Sequence, residues 1–98
     1  MNLNIGNIGI WGHRHYDYLK KNRPITVSIM RINGTLEGYL KQVNKHASEM
    51  LDTLIRQYAK DDGITEALKA FNQLEWVQRM NNIRNRAEEV ILSEIIYQ

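Results

Sequence analysis

Apolar positions recur along most of this chain at intervals of three and four, the period of an α-helix packed on one side. Trp11, His15, Tyr18 and Leu19 fall on one stripe of a first helix expected over about residues 12–22, with Arg14, Lys20 and Lys21 turned to water. Pro24 cannot continue that helix, but its fixed φ suits the first turn of another. Residues 25–34 carry two signals. Ile25, Val27 and Ile29 alternate as a strand would, and Asn33-Gly34 is a hairpin turn pair, whereas Ile25, Ile29 and Ile32 also fit helical spacing with Gly34 as the stop. The segment after Gly34 lacks the β-branched apolar residues of a partner strand, which favours a short helix over 24–33.

The third helix is expected over 35–62, opened by Thr35 and closed before Gly63. Its apolar seam is Leu36, Leu40, Val43, Ala47, Met50, Leu54 and Tyr58. Thr65 opens a fourth, and no Pro or Gly interrupts it through residue 97. Trp76, Met80, Ile83, Ala87 and Ile91 form its seam, with Phe71, Leu74, Val77, Leu92, Ile95 and Ile96 off that line. The expected fold is all-α: two short N-terminal helices packed on a long two-helix antiparallel hairpin, in one domain over 10–98 behind a mobile lead-in at 1–9.

An uninterrupted helix of that length would measure about 46 Å. A compact chain of this size is roughly 32 Å across. The mismatch predicts an elongated molecule and a homodimer, formed through the seams at 36–58 and 76–96. Leu40, Val43, Leu54, Trp76, Met80, Ile83, Ala87 and Ile91 are the candidate dimer or core positions.

Composition narrows the chemistry. The chain has 98 residues, no Cys, 13 Lys and Arg, and 11 Asp and Glu, for a net charge of +2. Without Cys, disulfides, thiolate metal sites and Cys nucleophiles are excluded. The first ten residues have neither the basic start nor the apolar core of a signal peptide, and no apolar run approaches membrane-spanning length. A cytoplasmic protein with no membrane partner is expected.

His13 and His15 are two apart, so on a helix they point to opposite sides and cannot share a metal. His13 and Asp17 have helical ligand spacing, but two ligands do not make a site, and His46 has no fixed relation to them. Ser28, Ser48 and Ser93 lack a neighbouring base and a Gly-rich oxyanion loop. Asp61-Asp62-Gly63 reads as a helix end rather than a calcium loop. No catalytic residue, metal site or cofactor is expected.

Charge placement says more. Between residues 12 and 31 there are five Lys or Arg and one acid, Asp17. Arg14, Lys20, Lys21 and Arg23, interleaved with Tyr16 and Tyr18, are candidates for contacting nucleic-acid phosphate; a solvated helix face is the plainer reading. A second run, Arg79-Met80-Asn81-Asn82-Ile83-Arg84-Asn85-Arg86, is rich in poor helix formers. Its projection separates two groups. Asn81, Arg84 and Asn85 face away from the Trp76 seam and could read base edges. Glu75, Arg79, Asn82 and Arg86 line its edge as a structural polar network, paired Glu75 to Arg79 and Asn82 to Arg86. Residues 64–98 carry four bases and five acids, a net of −1 that opposes docking onto phosphate and favours the structural reading of this run over base recognition.

Two blocks resemble one family. Gly9-Ile10-Trp11-Gly12-His13-Arg14-His15, Tyr18-Leu19-Lys20-Lys21 and Arg23-Pro24 look like the opening of the TnpV proteins, small products of bacterial transposons and other mobile elements. Gly63-Ile64-Thr65-Glu66, Leu68-Lys69-Ala70, Asn72-Gln73-Leu74-Glu75-Trp76-Val77, Arg79 through Ala87 and Glu94-Ile95-Ile96-Tyr97 are similar to their C-terminal signature. Residues 25–62 contribute less to the likeness. The resemblance implies a non-catalytic accessory of a mobile element. The family is likened to excisionases, DNA-binding proteins that help a recombinase remove an element. Double-stranded DNA at element ends and a recombinase are the partners that follow. The alternative is a helical module that grips a recombinase, relaxase or host protein without touching DNA.

Overall fold

The computed structural model describes residues 8–98. It is all-α, with no strand among those residues. Helix α1 spans Gly9–Asn22, α2 Pro24–Ile32, α3 Leu36–Asp61, α4 Glu66–Phe71 and α5 Gln73–Ile91, which continues into a π-helical segment, Leu92–Ile96. Helices α3 and α5 form the antiparallel hairpin, and α1 and α2 lie on the N-terminal half of α3. The molecule is a rod of 55 × 21 × 17 Å with a radius of gyration of 17.1 Å, against about 13 Å for a compact chain of this length. No helix among the described residues is long and apolar enough to cross a membrane.

The expected lead-in at 1–9 is corrected at its end; residues 1–7 lie outside the described ones. Ile8 is fully buried and α1 already begins at Gly9. The cause is a cap supplied from a distance. Ile8, at the N-cap, has no side-chain acceptor to offer. Instead, Asn44 of α3 places Oδ1 3.1 Å from the amide of Trp11 and 3.4 Å from that of Gly12, accepting from both. Gly9 sits at φ +80°, and a Cβ there would land on the Asn44 amide group. A Cβ on Gly12 would press on the Leu40 carbonyl at 3.0 Å. The two glycines therefore let α1 approach α3 closely. The variant Asn44→Ala is expected to lose about 1–2 kcal/mol, a helix cap's usual contribution. Thermal melting followed by circular dichroism measures it; an unchanged midpoint would refute the cap.

Residues 24–32 are helical, with Pro24 in the first turn. Gly34 at φ +76° ends α2, and the Thr35 amide donates to the Met30 carbonyl at 2.9 Å in a Schellman-type closure. Val27 enters the core, with Met30 packed beside it. The helical stripe Ile25, Ile29 and Ile32 faces outward instead. Helix α3 ends the same way: Gly63 takes φ +70° and the Ile64 amide reaches the Ala59 carbonyl at 2.9 Å.

The single helix expected over 65–97 is two helices and a π-helical segment. Asn72 takes φ −146° and ψ 87°, its amide closing α4 on the Leu68 carbonyl at 2.7 Å. Its side chain then accepts from the Glu75 amide at 3.2 Å, opening α5. Asparagine breaks helices in this manner without Pro or Gly, because its amide competes with the backbone ladder. Thr65 caps α4 from the Leu68 amide.

Two buried clusters hold the rod together. Ile8, Tyr16, Leu19, Val27, Leu36 and Leu40 form the first. Trp11, Ala47, Ile91 and Ile96 form the second, flanked by Val43, Met50, Leu51, Leu54, Leu92 and Ile95. Fully buried Ala47 and Ala87 leave room for the hairpin's helices to close on one another.

Candidate nucleic-acid interface

Burial of Trp11, Gly12, His15, Tyr16 and Leu19 leaves Arg14, Asp17, Lys20 and Lys21 on the outer face of α1. Arg23, in the joint to α2, is also exposed. Lys20 and Lys21 occupy the last turn of α1, where the helix dipole favours cations. The Arg14 guanidinium lies over the Trp11 ring at 5.2 Å. Tyr16, read from sequence as an interleaved surface aromatic, is a core residue with a polar tip. Its ring takes the Lys20 ammonium at 4.5 Å, and its hydroxyl accepts from Arg31 at 3.0 Å. Asp17, the only acid here, meets Lys20 at 3.6 Å. Exposed pairs of these kinds contribute about 1 kcal/mol or less each, so a phosphate can re-aim the cations cheaply. Arg14, Asp17, Tyr18, Lys21, Asn22 and Tyr97 line a shallow cleft in which the Tyr18 and Tyr97 rings stand 5.6 Å apart.

Asn81, Arg84 and Asn85 are exposed on α5. The edge residues beside them divide differently from expectation. Glu75 and Arg79 pair at 3.2 Å. Arg86 does not turn to Asn82. It crosses to α3, meeting Asp62 at 3.1 Å and lying over the Tyr58 ring at 4.8 Å. The antiparallel neighbour offers it a carboxylate and a π-face together, which an amide one turn away cannot match. Asn82 instead lines a small cleft with Asp62, Ile64 and Arg79. Of the seam positions, Leu40, Ile83, Ala87 and Ile91 are buried, and Val43, Leu54, Trp76 and Met80 half-buried, all within one chain. Lys69 covers the Trp76 ring at 4.7 Å.

The two candidate groups are not brought together. Helix α1 is anchored at Leu40 and Asn44, whereas Arg86 reaches α3 at Tyr58 and Asp62. At 1.5 Å per residue, positions 44 and 62 lie about 27 Å apart along the rod. Arg14, Lys20, Lys21 and Arg23 therefore occupy one end, and Asn81, Arg84 and Asn85 the other.

His15 has a role that the sequence did not reveal. It is buried, with Nδ1 2.7 Å from the Ile96 carbonyl and Nε2 2.8 Å from the Tyr39 hydroxyl. A carbonyl only accepts, so Nδ1 carries a proton and donates to Ile96, and Nε2 shares a hydrogen bond with the Tyr39 hydroxyl. Its place on the Trp11 and Leu19 stripe signalled burial, but its partners are 81 and 24 residues away in sequence. His13 and His46 are exposed. No group of three metal-ligating side chains occurs among the described residues.

The family model described as transposon-encoded protein TnpV matches residues 2–96, including the stretch between the two sequence blocks. No curated protein and no solved structure matches the chain.

Proposed function

Because the chain belongs to the TnpV family of transposon-encoded proteins, we propose that it is a non-catalytic accessory that binds double-stranded DNA at the ends of its element and assists a recombinase, as excisionases do. One observation carries this reading: Arg14, Lys20, Lys21, Arg23 and Arg31 are all exposed on α1, α2 and the joint between them, where Asp17 is the one acid, and Glu37 at the start of α3 is paired with Lys41. A rigid helix bearing cations on its outer face suits a phosphate backbone. Asn81, Arg84 and Asn85 are the groups proposed to reach base edges.

Fluorescence anisotropy on a mixed-sequence duplex tests it. Four phosphate contacts predict an affinity falling with log salt at a slope of about −3.6. Neutralising Lys20 and Lys21 together (Lys20→Gln, Lys21→Gln) is expected to reduce the slope by about 2, with a loss of affinity at every sequence tested. An unchanged slope would remove these lysines from the interface. No binding even at low salt would retire the DNA reading in favour of the helical docking module, for which co-purification with the element's recombinase is the assay.

A further inference from the structure

The rod leaves apolar side chains bare at both ends. On α2, Ile25, Ile29 and Ile32 are 75, 56 and 86% exposed. They follow i, i+4, i+7 spacing, so they share one face of the helix. At the other end, around the α4–α5 joint, Phe71, Leu74 and Val77 are 90, 70 and 38% exposed. We propose that these two surfaces bind each other between two copies of the chain: the molecules pair antiparallel about a two-fold axis, the α2 stripe of each covering the Phe71 end of the other.

Area argues for this arrangement over like-on-like pairing. Each surface exposes on the order of 400 Å², as much as the largest apolar patch on an ordinary monomer. A stripe-on-stripe contact would bury about 800 Å² in total, the size of a weak crystal contact, whereas the reciprocal pair buries about 1,600 Å², the standard for a stable complex. The arrangement requires the two surfaces to face the same side of the rod; a two-fold axis then makes both contacts in one antiparallel alignment, since the distance between them is the same in both copies. Closure also limits assembly to two chains, where a single head-to-tail contact would run on into filaments.

Charge does not oppose the pairing. Helices α1 and α2 with their joint carry five cations against Asp17, and residues 60–79, around the other surface, carry three cations (Lys60, Lys69 and Arg79) against four acids (Asp61, Asp62, Glu66 and Glu75). Of the seams expected to hold a dimer, at 36–58 and 76–96, Leu40, Ile83, Ala87 and Ile91 are already buried within one chain, whereas the α2 stripe and the Phe71 end are bare.

The pairing also bears on the split interface. It sets Arg14, Lys20, Lys21 and Arg23 of one chain at the level of Asn81, Arg84 and Asn85 of its partner, uniting groups that one chain holds apart. That consequence rests on the DNA reading above; the pairing itself does not.

The chain has no Cys, so single introduced thiols report the contact cleanly. Differently tagged Ile32→Cys and Leu74→Cys proteins, mixed under mild oxidation, are expected to yield the mixed disulfide several-fold above the Ile32→Cys self-disulfide. Light scattering is expected to give a dimer mass for the native chain at high micromolar concentration. Ile29→Glu and Phe71→Glu should each give a monomer with unchanged helicity. A native monomer at that concentration overturns the proposal. So does a dimeric Phe71→Glu variant, a predominant Ile32→Cys self-disulfide, or a mass that grows beyond two chains. Should either glutamate variant lose helicity, the disulfide ratio decides. A dimer that ignores DNA would sink only the DNA reading, and a monomer that binds DNA only the pairing.

Discussion

Replacing His15 with alanine (His15→Ala) is expected to destabilise the protein by about 3 kcal/mol, the largest effect of any substitution considered. Two losses combine. The imidazole leaves a void beneath the Tyr18 and Tyr39 rings, which lie 6.3 and 5.5 Å from it. The Ile96 carbonyl also loses its donor, and an unsatisfied buried polar group costs about 1–3 kcal/mol. Tyr39 is exposed, so its hydroxyl turns to water at little cost. For a domain of this size the midpoint of thermal unfolding should fall by roughly 15 °C. His15→Phe separates the two contributions, because it keeps ring volume and abolishes the hydrogen bonds; its midpoint should lie between the other two. A phenylalanine variant as stable as the native chain would show that His15 acts by volume alone.

Gly9→Ala should follow, at about 2–3 kcal/mol. Left-handed φ costs a side-chain-bearing residue about 1–2 kcal/mol. The new methyl group would also displace the Asn44 amide from the Trp11 and Gly12 amides, removing about 1 kcal/mol of capping. The second part depends on Asn44 being present. In an Asn44→Ala background, Gly9→Ala should therefore cost about 1 kcal/mol less than in the native chain, a coupling that a double-mutant cycle resolves. Strictly additive penalties would mean that the glycine serves its own backbone and not the contact with α3.

What the sequence disclosed was what is local. The stripe Trp11, His15 and Leu19 and the seam Leu36, Leu40 and Ala47 follow the helical period, and all six are buried. The glycine stops at 34 and 63 were readable because left-handed φ is a property of one residue. The Asn72 break was missed because asparagine is compatible with a helix interior and becomes a cap only through the hydrogen bond it finds. On α2 the spacing of Ile25, Ile29 and Ile32 indicated a helix correctly but not its orientation. Nine residues have room for a single inward contact line, and Val27 and Met30 occupy it.

The candidate interface divides in the same way. The exposed cations Arg14, Lys20, Lys21 and Arg23 were legible as charges on a helix whose other face is apolar. Their separation from Asn81, Arg84 and Asn85 was not, because it depends on where α1 lands along α3. That position is set by Asn44 and two glycines, whose fit appears only in three dimensions.

The contacts of His15 and Trp11 with residues 91–96 bear on how the protein is made. Trp11 and Ala47 share a cluster with Ile91 and Ile96, and His15 with the Ile96 carbonyl. A ribosome adding 5–20 residues per second needs roughly 2–8 s to go from position 54 to position 91. Throughout that interval the nascent chain holds an indole and an imidazole without their partners. Folding of this half is thus gated by synthesis of the Leu92–Ile96 segment, and the waiting surface is one that a chaperone can hold.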